Sequence, residues 1–102
     1  MGKISAGKTS DIPPGKMTKV TSDGKDILVA NVDGNYFAMD DICTHQGANL
    51  SEGTLEGSTV TCPRHGSTWD CKTGKLMDFA TKLKDLASYK VAVESDSVFI
   101  ET

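Results

Sequence analysis

The sequence predicts an all-β protein, an antiparallel sandwich or partial barrel of short hairpins. Glycine-containing turns recur at Ser22–Lys25, Val32–Asn35, Ser51–Thr54, Leu55–Ser58 and Lys72–Lys75. Between them lie short runs of β-branched and aromatic residues, the pattern of strands folded back on one another. Helical spacing is confined to Thr81–Tyr89, where Leu83 and Leu86 stand three apart; a single helical turn and an irregular loop fit it equally well.

Taken in order, Pro13-Pro14 breaks the entry segment and leads into a first strand over Lys16–Thr21. Ile27–Val32 and Tyr36–Met39 follow, joined by Asp33-Gly34, a strong two-residue hairpin signal. Thr59–Thr61, Tyr89–Val93 and Val98–Ile100 complete the expected strands. The stretch from Ala48 to Val60 is long enough for a strand, a turn and a return strand.

The chain has 102 residues, which suits a single domain over 1–102. A hydrophobic fraction of 37% with 25% charged residues fits a globular protein and argues against general disorder. The formal net charge is −3 and lysine and arginine form no block, so no nucleic-acid partner is expected. Apolar runs such as Ile27–Ala30 are too short to cross a bilayer, and the first sixteen residues contain no apolar signal-like core. A cytoplasmic protein with no membrane attachment is the expectation.

Both histidines of the chain lie within three residues of a cysteine. The pattern is Cys43-x-His45, sixteen intervening residues, then Cys62-x-x-His65. Gly47 and Gly66 follow the two pairs, and Pro63 fixes one backbone dihedral inside the second. Three cysteines cannot all pair with one another, and cysteines spaced closely to histidines suggest a metal more than disulfides. Two adjacent loops, converging on one centre, would supply two thiolates and two imidazoles. A tetrahedral structural zinc has that ligand set. In familiar zinc fingers, however, like residues pair within a loop, whereas each loop here carries one Cys and one His. That mixture suits a dinuclear centre whose metal atoms are both reached from each loop.

The segments "CTHQGANL" and "CPRHGSTWD" resemble the two cluster-binding boxes of Rieske proteins, and the resemblance runs from about Asp11 to the C-terminus. It implies a Rieske-type fold whose cluster-binding subdomain, about residues 41–80, is made of two hairpin loops. It also implies one [2Fe–2S] cluster, with Cys43 and Cys62 on one iron and His45 and His65 on the other. Such a site is neutral when oxidised and singly negative when reduced, against doubly and triply negative for an all-cysteine cluster. An electron is therefore easier to add, at roughly −150 to +300 mV against about −400 mV.

By the same resemblance, the protein is an electron carrier and not an enzyme. It would pass electrons from an NAD(P)H-dependent flavin reductase to an oxygenase, often an aromatic-ring hydroxylase. No strand-linked Gly-x-Gly-x-x-Gly is present to hold a dinucleotide, and both histidines are committed, leaving none for a mononuclear oxygen-activating iron. Two other readings suit the same residues: an accessory subunit of a larger reductase or oxygenase, and a zinc-stapled binding module.

Departures from the family bear on the potential. Where cytochrome-complex members carry a disulfide clamp, this chain has Ala48 and Arg64. Where those members place a serine and a tyrosine that hydrogen-bond cluster sulfurs, it has Ser67 and Trp69. Keeping one donor and losing the tyrosine hydroxyl predicts a potential in the lower half of the Rieske range. The segment after the second box has no proline, and Phe79 and Leu83 either shield the cluster or pack ordinarily. Cys71 shares an alternating strand face with Ser67 and Trp69, as a buried thiol would. Arg64, Asp40, Asp41 and Glu52 are candidates for a docking surface or plain surface charge.

Overall fold

The computed structural model describes residues 3–22, 24–41, 49–63, 66–78 and 86–101. Ten strands are found among them: β1 (Lys3–Lys8), β2 (Met17–Ser22), β3 (Lys25–Val32), β4 (Asn35–Asp40), β5 (Thr54–Glu56), β6 (Thr59–Thr61), β7 (Thr68–Asp70), β8 (Lys75–Asp78), β9 (Ser88–Glu94) and β10 (Ser97–Glu101). They form a six-stranded sheet in the order β1-β10-β9-β4-β3-β2 and a four-stranded sheet in the order β5-β6-β7-β8. All strand pairs are antiparallel.

Strand β3 explains the layering. Its side chains alternate between the two faces, yet Ile27 to Val32 are all buried. Ile27 and Val29 enter one core with Ala38, Val98 and Ile100, and residues from all six strands of the larger sheet join them. A sheet that turns one face from every strand into a single cluster must curl around it, which gives the larger sheet its barrel-like form. Leu28, Ala30 and Val32 point the other way, into a second core with Met39, Leu50, Val60, Cys62, Trp69, Cys71 and Leu86. That second core lies between the two sheets. The continuous apolar run in β3 is thus the mark of a strand covered on both sides.

Asp33-Gly34 makes the expected hairpin: Val32 pairs with Asn35, and both turn residues have positive φ, 52° and 91°. Asn31 closes the turn by accepting the Gly34 N–H at 2.7 Å, while its amide donates to the Ile12 carbonyl at 2.7 Å. One buried amide therefore seals the hairpin and the end of the barrel core together.

Two expectations are corrected. The Thr81–Tyr89 stretch, read as either a helical turn or an irregular loop, ends instead in strand β9, where Ser88 and Tyr89 pair with Met39 and Ala38. Leu86 is buried between the sheets; residues 81–85 lie outside the described ones. Strand β1 was not expected, because Lys3–Lys8 holds two lysines and a glycine; Ile4, Ala6 and Gly7 are only half-buried. It pairs with β10 through a bulge between Ser5 and Gly7.

The two kinds of constraint separate by mutation. Leu28→Ala should lose about 2–5 kcal/mol of stability, as a cavity in the shared layer requires. Gly34→Ala should lose only about 1–2 kcal/mol, since its Cβ meets open space and only the left-handed backbone is strained. Urea denaturation of both variants checks this, and equal losses would contradict the layered core.

Candidate metal centre

Of the four expected ligands, Cys62 is among the described residues. Cys43, His45 and His65 lie outside them, as do Ala48, Arg64, Phe79 and Leu83. Cys62 follows β6 directly and is 2% exposed, within the core between the sheets. Its N–H donates to the Ser67 carbonyl at 2.8 Å, and its own carbonyl accepts the Gly66 N–H at 3.3 Å. Cys62, Gly66 and Ser67 therefore tie the end of the β6–β7 hairpin together.

The first Cys-His segment is anchored differently. It leaves the larger sheet after β4 and reaches the smaller one through the 3-10 turn Leu50–Glu52. Asp41, at its upstream end, is fully buried. Its carboxylate accepts the Ser51 N–H at 2.7 Å, the Ser51 hydroxyl at 2.8 Å and the Asn49 amide at 2.8 Å. The backbone carbonyl of Asp41 accepts the Leu50 N–H at 2.7 Å. Asn49 also donates to Asp26, whose carboxyl is held below its ordinary range by the Thr21 hydroxyl and then by this amide. One network thus fixes both ends of the 42–48 segment to β2 and β3.

The flanks of the two segments meet. Leu50 and Cys62 share the inter-sheet core. Gly53 closes the Leu50–Glu52 turn so near to β6 that a Cβ on it would stand 1.9 Å from the Thr61 carbonyl oxygen. Only glycine permits that approach. The Leu50–Glu52 turn and Gly53, which follow the first segment, are in this way pressed against the residue before Cys62.

Two further buried side chains follow Cys62 on the same hairpin. Ser67 and Trp69 are both fully buried, and the Trp69 indole N–H donates to Ser67 Oγ at 3.1 Å. Cys71 lies in the same core as Trp69, where burial, aided by the Asp70 carboxylate, pushes its thiol up to about 11. It stays protonated at neutral pH and offers no thiolate. Asp41 is no part of a docking surface, because it is inside. Asp40 is half-buried and accepts the Tyr89 hydroxyl at 2.6 Å; burial and this bond push the Tyr89 phenol up to about 12. Glu52 stays exposed. Sequence offered one faint sign of the Asp41 network, the donors Asn49 and Ser51 flanking an apolar residue, and carboxylates are by default assigned to the surface.

A buried cysteine, with a buried serine hydroxyl and indole N–H on the same hairpin, is an environment in which an iron–sulfur protein can hold and tune a sulfur ligand. The family is more specific. The chain belongs to the Rieske [2Fe–2S] domain family, whose model matches residues 2–90. Proteins of this family hold one [2Fe–2S] cluster on two cysteines and two histidines, and this chain is accordingly an electron-transfer protein.

Its relatives are ferredoxins. It is 38% identical over 99 residues to the ferredoxin component of the naphthalene 1,2-dioxygenase/salicylate 5-hydroxylase systems of Ralstonia sp, covering 96% of this chain and 93% of that one. It is 35% identical over 102 residues to the 3-phenylpropionate/cinnamic acid dioxygenase ferredoxin subunit of Shigella flexneri, covering 99% and 94%. Among solved structures it superposes at a TM-score of 0.90, with 31% identity, on a chain of the complex of reduced oxygenase and oxidized ferredoxin in carbazole 1,9a-dioxygenase, covering 96% and 91%. The zinc reading gives way to these findings.

Removing the Asp41 carboxylate tests the anchor. Asp41→Ala leaves the Ser51 N–H without its acceptor inside the protein and should lower stability by about 1–3 kcal/mol. Asp41→Asn, which keeps one acceptor oxygen, should lose less. Urea denaturation measures both, and a change within about 0.5 kcal/mol for Asp41→Ala would remove the network from the account.

Proposed function

We propose that this protein shuttles single electrons from an NAD(P)H-dependent flavin reductase to the terminal oxygenase of a ring-hydroxylating system in the cytoplasm. Cys43 and Cys62 bind one iron of its cluster, and His45 and His65 bind the other. The subdomain that holds them spans about residues 41–80, framed by the four-stranded sheet. When bound, the cluster supplies a one-electron couple in the Rieske range.

The observation that carries this reading is the joint anchoring of two Cys-His segments. Asp41 and Asn49 clasp one and the Cys62–Ser67 pair closes the other, with Gly53 against Thr61 between them. A cluster changes charge by one unit as it cycles. A frame that does not rearrange keeps the accompanying reorganisation small. The naming of the relatives supports the partners: each is the ferredoxin member of a multi-component dioxygenase system, and a ferredoxin is found with its oxygenase in a solved complex. The substrates named differ among those relatives, so the oxygenase and not this chain sets which ring is oxidised.

Reconstitution tests the proposal. With NADH, a ring-hydroxylating reductase and its oxygenase, product formation should rise saturably with this protein. It should fall at least tenfold when His45→Ala or Cys62→Ser replaces it. Reductase that leaves the protein oxidised, while dithionite reduces it, would reject the reductase as its donor. Full turnover with either ligand variant would reject the ligand assignment.

A further inference from the structure

We propose that the indole N–H of Trp69 raises the reduction potential of the cluster by fixing and polarising the hydroxyl of Ser67. Trp69 is then a positioning residue that acts through the serine; the inference rests on the reading of Cys62 as a cluster ligand. Both side chains are fully buried and their Nε1–Oγ distance is 3.1 Å.

The direction of the hydrogen bond decides what the serine can do. An indole nitrogen only donates, and a serine hydroxyl has one hydrogen and two lone pairs. With Trp69 occupying a lone pair of Oγ, the Ser67 hydrogen is turned away from the indole. The Ser67 backbone is paired with that of Cys62, whose N–H donates to the Ser67 carbonyl at 2.8 Å. A hydroxyl that accepts one bond becomes a stronger donor in the next, by about 10–30% per bond. Aimed at sulfur of the cluster, it favours the reduced state, which carries more negative charge on that sulfur.

The indole itself has no freedom to look elsewhere. Trp69 pairs with Val60 on one side and Leu76 on the other, and its ring is enclosed in the core between the sheets. A phenylalanine could fill much of that core but would leave Ser67 without this donor. Tryptophan at the position where cytochrome-complex members carry a tyrosine therefore does not simply delete a donor. It moves the donor one bond back, onto the serine.

A double-mutant cycle on the cluster-loaded protein tests this, with the midpoint potential as its readout. Trp69→Phe should lower the midpoint so that the oxidised-to-reduced ratio at fixed ambient potential rises about threefold, or about 28 mV at 59 mV per tenfold change. Ser67→Ala should lower it at least as far, and adding Trp69→Phe to Ser67→Ala should change nothing further. Equal shifts from Trp69→Phe with and without the serine would overturn the proposal, as would no shift in a variant whose cluster spectrum is intact.

If Trp69→Phe does not fold, Ser67→Ala still answers. The chain has a single tryptophan, so ultraviolet resonance Raman reports its indole hydrogen bond without ambiguity. A band that weakens toward the unbonded position in Ser67→Ala supports the contact, and an unchanged band overturns it. An unaltered cluster spectrum in Cys62→Ser would instead defeat the underlying ligand assignment, a result distinct from either.

Discussion

Everything about this centre depends on a buried carboxylate. Asp41 sits where β4 leaves the larger sheet, fully buried, and its two oxygens gather donors from Asn49 and Ser51 on the far side of the 42–48 segment. A carboxyl group so deeply buried is tolerable only because its oxygens are met by directed hydrogen bonds. The reward is geometric. One side chain ties Asp41 to the residues that resume the chain at Asn49 and Ser51. The Asn49 amide extends the clasp to Asp26, linking it to the strands around which both cores are built.

The second segment uses the ordinary means of a hairpin tip, and the inter-sheet core then joins the two. Cys62 belongs to that core with Leu50, Val60 and Trp69, so its place is set by packing as firmly as by its backbone bonds. Because β3 contributes to both cores, the same strand supports the barrel and the face against which the smaller sheet rests. Electron transfer needs such a frame more than it needs a pocket. The work of the polypeptide is to hold ligands, exclude water from sulfur and tune the charge on it.

Much of this was legible in the sequence, for identifiable reasons. Strands β3 and β4 were visible because a long β-branched run and an Asp-Gly pair leave few alternatives to a hairpin. The Cys-x-His and Cys-x-x-His pairs were legible because both histidines of the chain are spent on them. Cys71 was readable as a core thiol from its alternation with Trp69. Other features carry no local signature. The β9–β10 hairpin turns through Ser95 at a φ of 56°, a conformation that sequence assigns to glycine or asparagine. Asp41 looked like surface charge beside Asp40, because burial of a carboxylate depends on donors that lie eight and ten residues away. Trp69 and Ser67 could be placed on one strand face, but which atom donates to which is a matter of packing.

The most direct test of the central claim is a reductive titration of the purified protein, followed by paramagnetic resonance and accompanied by metal and sulfide analysis. The account predicts about two irons and two acid-labile sulfides per chain, and a single one-electron signal with the g-anisotropy of a histidine-ligated cluster. A spectrum silent at every potential, from protein that retains one tightly bound zinc, would contradict it.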